Sequence, residues 1–542
     1  MLKTYAFPRF EYRRAPEQSG RRAIRHPVVI VGAGPVGLTA ALDLARRGVR
    51  SVLLDDNDTV SVGSRALCYA KRTLEVWDRL GVADRMVAKG VQWKVGKVFR
   101  RDGLVYAFDL LPEAGHRMPA MINLQQYHLE EYLVDACERS GRVDLMWRHK
   151  VVGLVRHDDH VALAVDTPDG PYRLDADWVI ACDGANSDVR RMVGASFTGQ
   201  TFQDRFLIAD VLMKATFPTE RWFWFDPPCH PGQSVLLHRE ADDVWRIDFQ
   251  LGRDADPDAE KQPERVIPRI RAMLGPDAEF ELEWVSVYQF ACRRIDRLRH
   301  GRVLFAGDAA HQVSPFGARG ANTGIQDVDN LAWKLARVIE GRAPESLLDT
   351  YHDERSVAAD DNLLASTRST DFITPKSRAS RVLRDAVLEL AEHQPFARRL
   401  VNSGRLSIPT PYRDSPLNTP DEDAFAGDMR PGTACADAPV HADGRDDWLL
   451  HRLSDGFTLM VFGAKPPAAA LPAGAELSVL SIGDDVVDVE GLVGERYDGR
   501  PGTAYLIRPD RHVAARWRVV DRSKLAAALA RARGAVPSEA HA

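Results

Sequence analysis

Apolar runs that stop abruptly at glycine and aspartate punctuate this chain. "PVVIVG" (27–32) is followed by "AGPVGLTAALDLARRG", where Val36, Ala40, Ala41 and Leu44 recur at helical spacing and Gly48 supplies a C-terminal stop. "SVLLDD" (51–56) reads as a second strand and completes a βαβ opening. Residues 121–139 and 322–341 carry helical patterning, and "DADWVIACDG" (175–184) and "GRVLFAGD" (301–308) read as buried strands ending in Asp-Gly or Gly-Asp. Between them, "RFLIADVLM", "SVLLHRE" and "VWRIDFQL" predict a sheet inserted into the part that the βαβ unit opens. From about residue 405 the chain turns to Pro, Asp and Thr, which predicts a linker. "FTLMVFG", "ELSVLSIG", "TAYLIRPDRHVAARW" and the helix "RSKLAAALARARG" then form a small α/β module.

Composition narrows the function classes. A 542-residue chain with 45% hydrophobic and 27% charged residues suits a multi-domain globular protein. A net charge of −5 gives no reason to expect nucleic acid or an anionic membrane as partner. No apolar run approaches the roughly 18 residues of a membrane helix, and the N-terminus lacks a secretory core, so a cytoplasmic location is expected. Its arginines suit a solvated strap over the domain surface better than a nucleic-acid arm. Cys68, Cys137, Cys182, Cys229, Cys292 and Cys435 show no CxxC or CxxxxC spacing, which argues against a zinc ribbon, a redox dithiol or a disulfide framework. No metal site is expected.

The segment "GAGPVG" lies after a strand and opens a helix. Gly32 permits the tight turn, Gly34 admits a pyrophosphate close to the backbone, and Gly37 lets helix and strand approach. Asp55 ends the second strand, where a carboxylate can bind a ribose diol. Two further Gly/Asp turns, "CDGANSDVRR" and "AGDAAHQVSPFGARGANTGIQDVDN", suggest a ligand larger than NAD, and extended FAD fits. Asp308 then accepts a hydrogen bond from the ribitol, or caps the next helix, or does both. Asp327, a turn into that helix, is expected to serve the helix alone.

These three stretches, in this order, resemble the fingerprints of the class A FAD-dependent aromatic hydroxylases, the para-hydroxybenzoate and phenol hydroxylase superfamily. The overall wording is most similar to 3-(3-hydroxyphenyl)propionate hydroxylase-like members. The resemblance covers roughly 25–400, and the C-terminal part resembles the thioredoxin-like domain of phenol hydroxylase-type members. It implies an α/β fold: an N-terminal extension (1–26), a Rossmann-like FAD-binding domain (27–195 and 292–404), an inserted β-sheet substrate domain (196–291), a linker (405–431) and a thioredoxin-like domain (432–542). "SRA" (64–66) is similar to the family's arginine turn and "QYHLEEYL" to its Gln-x-x-Leu-Glu helix. Carried over, Arg65 lies near the pyrophosphate or flavin edge, Gln126 near the ribitol, and Asp183 serves FAD and a transient nicotinamide. Asp308 binds the ribitol, Pro315 lines the reactive flavin face, and Gly320, Ala321 and Asn322 aim backbone N–H groups at the ring. The implied reaction uses NADH or NADPH and O2, forms a flavin C4a-hydroperoxide and hydroxylates a small phenolic substrate. A homodimer is the candidate assembly. His311 is expected to pack near the flavin without proton duty.

The sequence departs from its relatives where Gly-Gly-Gln-Gly-Met-Asn becomes Gly317-Ala318-Arg319-Gly320-Ala321-Asn322. Arg319 either raises the flavin potential or holds an anionic substrate, or it faces solvent. "RWFWFDPP" (221–228) nearly spells the Trp-x-Trp-x-Ile-Pro of flavin-dependent halogenases, but Asp226 stands at the Ile and Leu38, not Trp, comes after Gly37. The alternatives to a hydroxylase are therefore an FAD-dependent reductase or regulator and, further off, a halogenase. Candidate substrate residues on the inserted sheet are Trp222, Trp224, His238, Arg246, Gln250 and Tyr288; "WRIDFQL" places Arg246, Asp248 and Gln250 on one face at period two, a polar lining or a solvated sheet face.

Overall fold

The computed structural model describes the chain except Met1, Arg21, Arg22, Ser64, 402–405, 407, Ala475 and 536–542. Its central sheet holds the apolar runs in parallel. Arg25–Val31 lies between Ser51–Asp55 and Tyr172–Ala181, with Val143–Trp147 and Val303–Phe305 outside them. Val28, Val29, Ile30, Val179 and Val303 are fully buried, as expected for strands covered on both faces. Strand register aligns the turns at the ends of these runs. Val31 is level with Leu54 and Ala181, and Ala181 with Phe305. The glycine turn after Val31, Asp55, the Cys182–Asp183 turn and the Gly307–Asp308 turn thus share one carboxyl edge, where open α/β sheets bind ligands.

A second sheet runs in the order His311–Gln312, Glu281–Ile295, Phe197–Leu212, Val244–Leu251, Ser234–Arg239, Arg221–Phe225, Val95–Arg100, Gly103–Asp109. The domain boundaries expected from the sequence assign the hairpin 95–109 to the nucleotide-binding part. It joins the inserted sheet instead, pairing Val98 in parallel with Phe223. Its "VGKVFR" segment satisfies the edge left open by Arg221–Phe225, a pairing invisible to local periodicity.

The C-terminal module has the strand order Leu477–Ile482, Phe457–Phe462, Ala504–Ile507, Val513–Trp517, the first two parallel and the rest antiparallel, with a closing helix Arg522–Ala532. This is the thioredoxin-like order, with a single turn, Ala468–Ala470, between the parallel strands. The described part of the Pro/Asp-rich stretch before it has no helix or strand but is pinned: Tyr412 N donates to Gly432 O at 2.8 Å and Thr419 N to Ala514 O at 2.8 Å. The N-terminal segment lies over the core as a strap, stacking Tyr5 on Tyr127, Phe10 on Trp147 and Tyr12 on His149.

Candidate functional site

The shared carboxyl edge is built from glycines that leave no room for side chains. A Cβ on Gly32 (φ +104°) would lie 2.5 Å from Cys182 O, and one on Gly37 would lie 1.9 Å from Gly32 O. A Cβ on Gly324 would meet Val36 at 2.7 Å and Gly307 at 3.1 Å. The three turns therefore interlock backbone to backbone. Gly34 differs, since a Cβ there would meet nothing within 4 Å. It caps the helix Pro35–Arg46, whose first bond, Leu38 N to Gly34 O at 3.0 Å, leaves the Val36 and Gly37 N–H groups without intrahelical acceptors. Asp55 accepts from Ala33 N at 2.5 Å and from Asn57, which holds the turn and its carboxylate at the same edge.

Of the roles read from the sequence, the helix cap at Asp308 and the purely local role of Asp327 do not hold. Asp308 sits in the turn Gly307–Ala309, makes no side-chain hydrogen bond among the described residues and caps no helix. Its side chain is open to solvent, yet the surrounding protein raises its carboxyl above the usual value. Asp327 serves far more than its own helix. Fully buried, it accepts from Gly307 N (2.9 Å), His311 Nε2 (2.7 Å) and Arg355 Nε (2.7 Å). Burial opposes its ionisation, but His311 and Arg355 prevail and hold it below the usual range. His311 is spent on this carboxylate.

The 314–322 stretch is anchored along its length. Ser314 N and Oγ bind Ser366 Oγ at 2.9 and 2.7 Å, and Thr370 Oγ1 donates to Ser314 Oγ at 2.8 Å. Pro315 is half-buried and opens a tight turn with Ala318 N on Pro315 O at 3.0 Å. Gly317 (φ +111°) and Ala318 (φ +52°) both take positive φ there. The solvent-facing reading of Arg319 fails. Its side chain is 5% exposed and folds over Gly317 toward Phe316 O, because a glycine leaves that space open. Asn322 accepts from Ala70 N at 2.8 Å and donates to Cys68 O at 2.9 Å, so its side chain fixes the helix start. The first bond of that helix, Thr323 N to Arg319 O at 2.8 Å, leaves the N–H groups of Gly320, Ala321 and Asn322 without a protein acceptor among the described residues.

Two candidates act on the protein itself. Gln126 Oε1 accepts from Ala66 N (2.9 Å), and its Nε2 donates to Ser61 Oγ (2.8 Å) and Glu130 Oε1 (2.7 Å). It braces the 61–66 turn that carries the exposed Arg65; Ser64 of that turn lies outside the described residues. Asp183 accepts from Ser187 Oγ (2.6 Å) and Val189 N (3.0 Å), capping the next short helix with both oxygens.

The second sheet divides the substrate candidates by face. Phe223 packs 6.5 Å from Phe316, and Phe206 and Phe290 lie 5.0 and 5.3 Å from the same ring. The face toward the 315–322 turn thus carries Arg221 and Phe223, and by register His238, Arg246, Asp248, Gln250, Phe206 and Tyr288. Trp222 and Trp224 point the other way. They join the cluster of Leu237, Trp245 and Ile247 and line a cavity of about 230 Å³ beside Met273. Strand alternation, which period-two reading leaves unphased, puts them behind the sheet and removes them as substrate contacts. Gln250 Oε1 accepts from Ser234 N at 3.1 Å, and Arg246 grips Asp210 at 2.9 and 3.1 Å. Both therefore organise the sheet.

Sequence reasoning missed Arg221, Ser314 and the Asp327–Arg355 pair; it put Asp248 on the face of Arg246 and Gln250 but left open which way that face points. Asp248 and Arg221 lie inside apolar and aromatic runs at the right period, so phase was the missing signal. The arrangement fits FAD by its donor set: free N–H groups at two helix starts, an open glycine and an unpartnered Asp308 carboxylate on one edge. The described residues contain no group of His, Cys, Asp and Glu suited to a metal ion, and no described helix is long and apolar enough to cross a membrane.

Comparison with known proteins agrees with this geometry. The FAD binding domain family matches residues 25–366. A 6-methylpretetramide 4-monooxygenase of Streptomyces rimosus is 33% identical over 90% of each chain. A 3-(3-hydroxy-phenyl)propionate/3-hydroxycinnamic acid hydroxylase of Mycolicibacterium smegmatis is 28% identical, again over 90% of each. The crystal structure of the flavin-dependent monooxygenase PieE with FAD and substrate superposes with a TM-score of 0.81 at 25% identity, covering 95% of this chain and all of that one. With the interlocked glycine edge and the matched family model, the chain belongs to the FAD-dependent monooxygenases of the aromatic hydroxylase type.

Proposed function

We propose that this enzyme hydroxylates a phenolic ring held between the 315–322 turn and the facing side of the second sheet. The observation that carries the reading is the meeting of two unlike surfaces: a flavin-type edge with free N–H groups, and a buried sheet face bearing both aromatic and polar side chains. Bound FAD supplies the chemistry, taking hydride from NADH or NADPH and activating O2 for transfer to an aromatic carbon. The chain's own residues do the rest. Asp308 binds the ribitol, and Asp55 the adenosine ribose. The helix starts at Gly34 and Gly320 direct N–H groups at the pyrophosphate and the ring. Phe206, Phe223, Phe290 and Phe316 exclude water and hold an aromatic substrate edge-on. Arg319, buried under the same turn, places a positive charge near the ring, where it favours the anionic reduced form. The hydroxyphenyl substrate in the name of the Mycolicibacterium smegmatis relative supports the reading, and a cytoplasmic location accords with its soluble co-substrates.

The test is direct. The purified holoprotein should be yellow, and NAD(P)H oxidation should quicken when phenols are added, with a hydroxylated product identified by mass. Bleaching by NAD(P)H without a phenol effect or product would establish a reductase instead; chloride-dependent chlorination would establish a halogenase.

A further inference from the structure

On the substrate-facing side of the second sheet, besides Tyr106 Oη and Ser234 Oγ, three buried polar atoms have no hydrogen-bond partner among the described residues: Arg221 Nη1, His238 Nε2 and Asp248 Oδ1. They are neighbours by register. Trp222 pairs with Leu237 in an antiparallel ladder, so Arg221 lies opposite His238 one position on. His238 pairs with Arg246, and Asp248 with Leu236, which sets Asp248 diagonal to His238. The Arg221, His238 and Asp248 side chains are all at least nine-tenths buried, at 9%, 3% and 9% exposure. Native interiors rarely leave such atoms unpaired, and three on one face next to a ligand site point to a ligand that pairs them.

Their hydrogen-bonding sense can be read. Cys68 Sγ donates to Asn123 Oδ1 at 3.1 Å, which leaves its sulfur to accept from His238 Nδ1 at 3.9 Å. His238 then carries its proton on Nδ1 and presents Nε2 as an acceptor. Burial, with Arg221 and Arg246 nearby, pushes the His238 pKa well down and keeps the ring neutral. Asp248 Oδ1 is a second acceptor, and burial lifts that carboxyl to about 6. Arg221 Nη1 is a donor. Cys68 also ties this row to the flavin-side turn, since its carbonyl accepts from Asn322 at 2.9 Å.

We infer that Arg221, His238 and Asp248 form the polar recognition site for the substrate, and that it selects an aromatic edge bearing two hydroxyl donors beside an oxygen acceptor, a polyhydroxylated or hydroxy-keto ring system, over a simple monophenol. His238 Nε2 and Asp248 Oδ1 each accept from a substrate hydroxyl. Arg221 Nη1 donates to the adjoining phenolic or keto oxygen. This inference rests on the proposed hydroxylase reading for its location but not for its test.

The test is binding to the FAD-loaded enzyme without NAD(P)H, read from perturbation of the flavin absorption band. Two probe series are used: anthraquinone, 1-hydroxyanthraquinone and 1,8-dihydroxyanthraquinone, and phenol with resorcinol. Within at least one series each added hydroxyl should tighten Kd several-fold, to at least tenfold between the ends of the anthraquinone series. Asp248→Asn and His238→Phe should each abolish the gain from one hydroxyl while retaining FAD and melting temperature; Arg221→Gln should weaken all oxygenated members alike. If any variant loses FAD, the wild-type series alone decides. Equal affinity across both series, or binding of neither, overturns the inference. Tight binding without any hydroxylated product on addition of NAD(P)H would leave it standing and overturn the hydroxylase reading instead.

Discussion

Two aspartates nineteen positions apart illustrate how residue chemistry separates from motif position. Asp308 has no side-chain partner among the described residues, whereas Asp327 holds Gly307, His311 and Arg355 together. Asp308→Ala should therefore leave the melting temperature of the apoprotein nearly unchanged while FAD dissociates at least about tenfold more readily, a loss of one charge-assisted hydrogen bond of about 1.5–3 kcal/mol. Asp327→Ala leaves the buried Arg355 guanidinium without its carboxylate, and His311 and Gly307 N without their acceptor, and should cost about 3–5 kcal/mol of apoprotein stability as well as FAD retention. Thermal melts with and without FAD distinguish the two. If Asp308→Ala destabilised the apoprotein as strongly as Asp327→Ala, the ligand-facing assignment of Asp308 would be wrong. The sequence points to Asp308 through its motif, but nothing in local spacing distinguishes Asp327 as a tertiary anchor, because its partners lie on a different strand and a different helix.

The strand Arg221–Phe225 shows what an element adds. Its two tryptophans attract attention in the sequence, yet alternation sends them to the back of the sheet while Phe223 faces Phe316. Trp224→Leu should cost about 1–3 kcal/mol of stability and leave the KM for a phenolic substrate within about twofold. Phe223→Ala should raise that KM by about tenfold or more, the worth of a lost apolar contact in a substrate pocket. Steady-state NAD(P)H oxidation with matched melts checks both, and the reverse pattern would mean the faces are inverted. The same limit explains what was legible. The βαβ opening and the three Gly/Asp turns carry their signals locally, in apolar runs stopped by glycine. The phase of a strand and the partner of an edge are set by distant residues, which is why the hairpin 95–109 and the Arg221–Asp248 face emerge only when the sheet is assembled.

The C-terminal module, without a CxxC, is joined to the flavin-binding part through buried charge. Arg508 grips Glu354 and Asp510, Glu354 also accepts from Lys334 at 2.7 Å, and Arg355 next to it reaches Asp327 and so the Asp308 turn. Burial lowers Lys334 to about 8, while Arg508 and Lys334 overcome burial to hold Glu354 well below its usual range. Arg508→Ala should cost about 3–5 kcal/mol and loosen FAD together with the module, read as a lower melting temperature and a higher FAD dissociation constant. A second contact is pH-sensitive. His451 Nε2 bonds Asp78 at 2.7 Å and its Nδ1 bonds Asp447 at 2.9 Å, with Arg117 close by. The hydrogen bond to Asp78 leads in raising the His451 pKa, burial and Arg117 working against it. A histidine whose pKa is higher folded than unfolded stabilises fully below its unfolded value, near 6.5, and the stabilisation fades as pH rises through the folded value. His451→Gln should accordingly lower the melting temperature at pH about 6 and converge on the wild type above pH about 9, well past any shifted imidazole. Equal destabilisation at both pH values would mean that His451 joins the two parts by packing rather than by its charge.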